Sequence, residues 1–155
     1  MTLPAPIIEN FTSYSLEETE GIARQIALRL PRRCCVMLNG DLGAGKSVMA
    51  RSMIRTLSQD KILDVPSPTF TLLQTYMVNL NDGDSTPCDI WHFDLYRLKD
   101  PEEIFELGWE DALRDGIVLI EWAERLGPYI PKGAVIVTIE CDRAQDMRNI
   151  TISWP

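Results

Sequence analysis

The run Gly40-Asp41-Leu42-Gly43-Ala44-Gly45-Lys46-Ser47 matches G-x-x-x-x-G-K-[ST], the pattern of a phosphate-binding loop. Glycines lack a Cβ, so Gly40, Gly43 and Gly45 let the backbone adopt positive φ and approach a ligand closely. Successive N–H groups then form an anion nest, and the helix that follows adds its positive N-terminal end. Lys46 has the reach for β- and γ-phosphates, and the Ser47 hydroxyl is a ligand type for Mg²⁺. Such a loop belongs between a buried strand and a helix. Cys34-Cys35-Val36-Met37-Leu38 reads as that strand. Val48, Met49, Met53, Ile54 and Leu57 recur at helical spacing after the loop and predict a helix to about Ser58.

The flanking chain reads as alternating strands and helices. Residues 7 to 12 predict a short edge strand. Ser15 and Glu18 form a capping box, and Leu16, Ile22, Ala23, Ile26, Ala27 and Leu30 mark one face of a helix that Pro31 stops. Prolines in Val65-Pro66-Ser67-Pro68-Thr69-Phe70 force extended backbone. Thr69 to Val78 and Ile90 to Tyr96 then predict two strands paired as a hairpin across the polar turn Asn79–Pro87. Asp100 caps a further helix with Pro101 in its first turn, and Asp111 to Arg114 predicts another short helical turn. Gly116 to Trp122 reads as a second strongly buried strand, and Ala134 to Glu140 and Asn149 to Trp154 as two late ones. Together they predict one α/β domain over residues 1–155. It would be a P-loop NTPase-like mixed sheet with a parallel centre, antiparallel additions and helices on both faces.

Several function classes are excluded by composition. No apolar run approaches the ~18 residues of a membrane helix. The N-terminal segment has no basic stretch followed by an apolar one, the mark of a signal peptide. Cys34, Cys35, Cys88 and Cys141 include no C-x-x-C pair and read as reduced thiols of a cytoplasmic protein. Net charge is −8 with lysine and arginine scattered, so direct DNA binding is not expected and any contact with RNA would come through a partner.

A phosphate loop becomes a catalytic site with an acid for the metal and a group that positions the attacking water or acceptor. Acids at the C-terminal ends of strands beside the loop strand are placed for this. Glu121 ends Ile117-Val118-Leu119-Ile120, and Asp94 ends Ile90-Trp91-His92-Phe93. Thr69, in the proline-shaped loop, is a candidate γ-phosphate sensor. His92 shares a strand face with Asp94 if that strand is regular. The residues alone leave other roles open: an exposed strand-end carboxylate for Glu121, a cap or a partner for Arg97 for Asp94, a strand-entry threonine, a structural histidine. They also leave open an ATPase, a kinase and a nucleotide-dependent scaffold. A guanine-specific switch is disfavoured, because no N-K-x-D occurs.

Four blocks in order, Gly40 to Ser47, Ser67-Pro68-Thr69-Phe70-Thr71-Leu72, His92-Phe93-Asp94-Leu95-Tyr96-Arg97-Leu98 and Glu121-Trp122, resemble the TsaE (YjeE) family over roughly residues 10 to 140. The resemblance implies a small P-loop ATPase that serves threonylcarbamoyl modification of the adenosine next to the tRNA anticodon, with ATP and Mg²⁺ as cofactors and TsaB and TsaD as partners. It implies that Asp41, Leu42, Gly43, Ala44, Gly45, Lys46, Ser47 and Val48 hold the nucleotide. Ser47 and Glu121 would bind Mg²⁺, Asp94 would be needed for hydrolysis with Lys46, and Thr69 would belong to a switch segment. Trp122 would lie near the nucleotide, and Ser15 and Thr19 near the adenine. Ser47 stands where the family more often has threonine, a change that keeps the hydroxyl. The tail after Asp142 departs most from the family and is given no role.

Overall fold

The computed structural model describes residues 2–155. A seven-stranded sheet runs through it, built from β1 (Ile7–Ser13), β2 (Cys34–Gly40), β3 (Leu73–Val78), β4 (Cys88–Asp94), β5 (Ile117–Glu121), β6 (Val135–Asp142) and β7 (Met147–Trp154). Its spatial order is β1-β7-β6-β2-β5-β4-β3. The centre β6-β2-β5-β4 is parallel, whereas β1, β7 and β3 join antiparallel. The predicted mixed sheet is therefore observed, as is the β3–β4 hairpin.

Every residue of β5 is buried, as a central parallel strand covered on both faces requires. Ile117 and Leu119 face one layer; Val118 and Ile120 face the other. The first layer is α1 (Leu16–Leu28) and α2 (Lys46–Ser58), which bury Ile22, Ile26, Met49, Met53 and Ile54 against the sheet. The second holds α3 (Trp109–Asp115) and two 3₁₀ segments, Pro101–Leu107 and Ala123–Tyr129, with Ile104, Trp109 and Leu126 in its core. Each fully buried aliphatic side chain contributes roughly 1.5–3 kcal/mol relative to exposure.

Four details depart from the sequence reading. The strand expected from Thr69 begins only at Leu73, because Leu72 takes φ 66° and its N–H closes a turn on the Pro68 carbonyl at 2.7 Å. The strand expected to reach Tyr96 stops at Asp94, whose carboxylate accepts the Tyr96 N–H at 3.1 Å and turns the chain. Asp100 does cap its segment, but the turns that follow are 3₁₀. Leu16, placed on the apolar stripe of α1, is exposed; that helix's buried face starts at Thr19. Ser15 is the N-cap, accepting from the Glu18 N–H at 3.1 Å, while the Glu18 carboxylate reaches back to the Tyr14 N–H at 2.6 Å.

Candidate functional site

The phosphate loop joins β2 to α2 at the C-terminal edge of the parallel strands, where open α/β sheets present ligand sites. Two of its glycines are needed for conformation: Gly43 has φ 78° and Gly45 φ 122°. Gly40 is there for a different reason. It is not in the left-handed region, and a Cβ on it would lie 2.8 Å from the Ile139 carbonyl oxygen of β6. Its role is close strand approach, which corrects the expectation of a positive φ there.

Lys46 is buried and folds back on its own loop. Its ammonium donates to the Gly40 carbonyl and, at 2.9 Å, to that of Asp41, and lies 3.9 Å from the Trp122 ring centre. Burial lowers its pKa below the usual lysine value, and the nearby Glu121 carboxylate opposes that shift. Trp122 follows β5 with φ 61° and ψ 44°, a left-handed conformation that a non-glycine residue holds at a cost of about 1–3 kcal/mol.

Adjacent registers bring the two strand-end acids together. Asp94 and Glu121 are opposite each other in the β4–β5 ladder. Both are buried, on the sheet face that α2 covers. The Ser47 hydroxyl donates to Glu121 Oε1 at 2.8 Å, and the other carboxylate oxygen, Oε2, meets His92 Nε2 at 2.7 Å. His92 is thus on the face of Asp94, as strand alternation predicts, but its partner is Glu121; its Nδ1 is buried with no hydrogen-bond partner among the described residues. Asp94 Oδ2 accepts from Thr69 Oγ1 at 3.1 Å and from the Ser67 hydroxyl at 3.4 Å.

These groups border a cleft of about 310 Å³ lined by Lys46, Ser47, Thr69, Asp94, Glu121 and Trp122, with Leu42, Gly43, Gly45, Val48, Tyr96 and Arg148 completing the wall. A larger groove of about 600 Å³ between α1 and α2 lies away from the two acids and carries Arg24, Arg51, Arg55 and Lys61. Chemistry, not volume, identifies the smaller cleft. Asp41 and Ala44 shape the loop without lining the cleft. Ser15 and Thr19 are not brought into its wall. Thr19 is fully buried, with its hydroxyl 2.7 Å from that of Ser13 and 3.2 Å from the Ser15 carbonyl. Sequence reasoning passed over Arg148 and Tyr96. A lone arginine beyond a polar turn carries no signal of where its strand will pair.

Among the described residues, no three His, Cys, Asp or Glu side chains form a metal site. Mg²⁺ requires less from protein, commonly one or two ligands with waters and substrate phosphates. The Ser47 hydroxyl and Glu121 carboxylate, two oxygen donors already in contact, fit that requirement.

Strand, glycine loop, helix and strand-end acids define a P-loop nucleotide-binding protein. The family model for the threonylcarbamoyl adenosine biosynthesis protein TsaE matches residues 13–150. The protein of that name from Rickettsia conorii is 42% identical over 129 residues, 83% of this chain and 69% of the relative. Its namesake from Haemophilus influenzae is 38% identical over 153 residues, 94% and 90% of the two chains. The crystal structure of Bacillus subtilis YdiB superposes with a TM-score of 0.69 at 26% identity, covering 98% of this chain and 88% of that one. The chain belongs to the TsaE family.

Proposed function

We propose that this protein is the ATP-hydrolysing component of tRNA threonylcarbamoyladenosine biosynthesis, acting in the cytoplasm with TsaB and TsaD and reaching tRNA through that assembly. Family membership and the relatives' names support the pathway. The observation that carries hydrolysis is the convergence of two differently engaged acids on one phosphate loop: Glu121 on the Ser47 hydroxyl, and Asp94 on the Thr69 hydroxyl.

In this reading the loop from Asp41 to Val48 cradles the phosphates, and Lys46 leaves its own carbonyls to meet them. Ser47 and Glu121 would hold Mg²⁺, which would supply charge to offset that developing on the phosphate oxygens. His92 keeps the Glu121 carboxylate turned toward Ser47 through its bond to the second oxygen. Asp94 orients the attacking water once Thr69 is drawn toward the γ-phosphate. The Thr69 segment then relaxes on phosphate loss and alters affinity for the partners, which resets the complex. Trp122 walls the base of the cleft and excludes water from it. Ser15 and Thr19 contribute near the adenine through the fold of the β1–α1 corner.

The test is phosphate release from ATP and Mg²⁺, by the protein alone and with TsaB, TsaD and tRNA. Stimulation by the partners, with Asp94→Asn retaining ATP binding while losing at least 10²-fold in rate, is the expected result. Full activity in Asp94→Asn would overturn the assignment, and phosphate transfer to another acceptor would replace hydrolysis with kinase chemistry.

A further inference from the structure

Arg148 enters the nucleotide cleft from β7, more than a hundred residues beyond the phosphate loop. Its Nε donates to the Ala44 carbonyl at 2.8 Å. Its stem packs over Gly45, where a Cβ would meet Nε at 3.5 Å and Cδ at 3.8 Å. The backbone beneath is fixed by ladders on both sides, since Arg148 lies opposite Ser13 of β1 and Cys141 of β6. No carboxylate among the described residues pairs with it. An arginine has five donors, and this one spends a single donor on the loop.

Cleft charge makes the remaining donors informative. Asp94 and Glu121 line the cleft, and a nucleoside triphosphate would add several more negative charges. Lys46 and Arg148 are the two cations in the wall. The geometry points to Arg148 as a nucleotide-positioning residue, one that clamps the Ala44 peptide with Nε and offers its terminal guanidinium nitrogens to the phosphate chain. The clamp holds the Ala44–Gly45 peptide in the conformation that turns the loop N–H groups inward. The free nitrogens add charge-assisted bonds to phosphate oxygens once nucleotide arrives. This inference rests on the nucleotide-binding reading of the cleft and names a residue of the tail that completes it.

The experiment is titration calorimetry of ADP with Mg²⁺, and of adenosine, on the full chain and on Lys46→Ala, Arg148→Gln and Arg148→Lys. Hydrogen exchange of the nucleotide-free proteins runs beside it. Arg148→Gln is expected to weaken ADP roughly tenfold or more and to leave adenosine unchanged. Arg148→Lys, which keeps the charge but not the fork, recovers part of the ADP loss. Faster exchange confined to the amides of residues 44 to 46 is expected in both variants. If Lys46→Ala weakens ADP and Arg148→Gln does not, the proposal fails while the cleft's reading stands. If neither does, the nucleotide reading itself fails. Equal losses for ADP and adenosine, with exchange rising along all of β6 and β7, would make Arg148 a fold residue and overturn the proposal.

Discussion

Gly40 and Gly21 separate two uses of glycine. At Gly40 a Cβ would press on the Ile139 carbonyl at 2.8 Å and on Ala44 Cβ at 3.1 Å, so β2 and β6 must part or the loop must shift. Gly40→Ala is expected to cost about 1–3 kcal/mol of stability in urea unfolding and to weaken nucleotide binding with it. Gly21, inside α1, has no atom among the described residues within 4 Å of a would-be Cβ beyond its chain neighbours and the helix's own backbone, so Gly21→Ala is expected to stabilise by about 0.5–1 kcal/mol. The glycine pattern was legible in the sequence, but the reason for its first member was not, because a strand neighbour nearly a hundred residues away supplies it. Asp94 and Glu121 were legible for the opposite reason. Each ends an apolar run, and the end of a buried strand is a local property. Their partners were less so: His92 was placed on the right face, yet only the β4–β5 register decides that it meets Glu121.

Strand β2 illustrates what an element imposes on its side chains. Its two adjacent cysteines are held in the sheet, and burial pushes the thiols of Cys34 and Cys35 each up from 9.0 to about 12. A thiol with a raised folded pKa favours the folded state fully while both states are protonated. That advantage is lost as the unfolded chain ionises and pH climbs toward the folded value. Stability measured by chemical denaturation is therefore expected to fall between about pH 9 and pH 12, and to fall less in Cys34→Ala/Cys35→Ala. Elements β2, α2 and β5 were legible because unbroken apolar runs marked the two strands and helical spacing after the glycine loop marked the helix. The stretch around Thr69 was misread as strand, because alternation there continues through Leu72, and a left-handed residue other than glycine leaves no trace in composition. The 3₁₀ segment Ala123–Tyr129 was missed for a similar reason: Gly127 and Pro128 interrupt any helical period.

At the scale of the whole molecule, charge is distributed in a way composition hides. The net −8 is real, yet Arg24, Arg51, Arg55 and Lys61, dispersed in sequence, line one groove between α1 and α2. The candidate cleft likewise draws on the phosphate loop, α2, β4, β5, β7 and the Thr69 loop, so a ligand there ties distant parts of the sheet together. ADP with Mg²⁺ is expected to raise the melting temperature progressively with concentration, by mass action on the folded state, and Lys46→Ala to abolish the rise. Thermal melts across a nucleotide series check this; an unchanged transition would count against the cleft. The sheet's edge adds a constraint of time. Strand β1 is synthesised before the other strands of the sheet, but its ladder partner is β7, with Ile7 opposite Trp154. A nascent chain therefore carries its glycine loop, both acids and the helix behind them well before the strand that brings Arg148 exists. Synthesis of β7 supplies the Arg148 wall of the pocket and the ladder partner of β1 in one event.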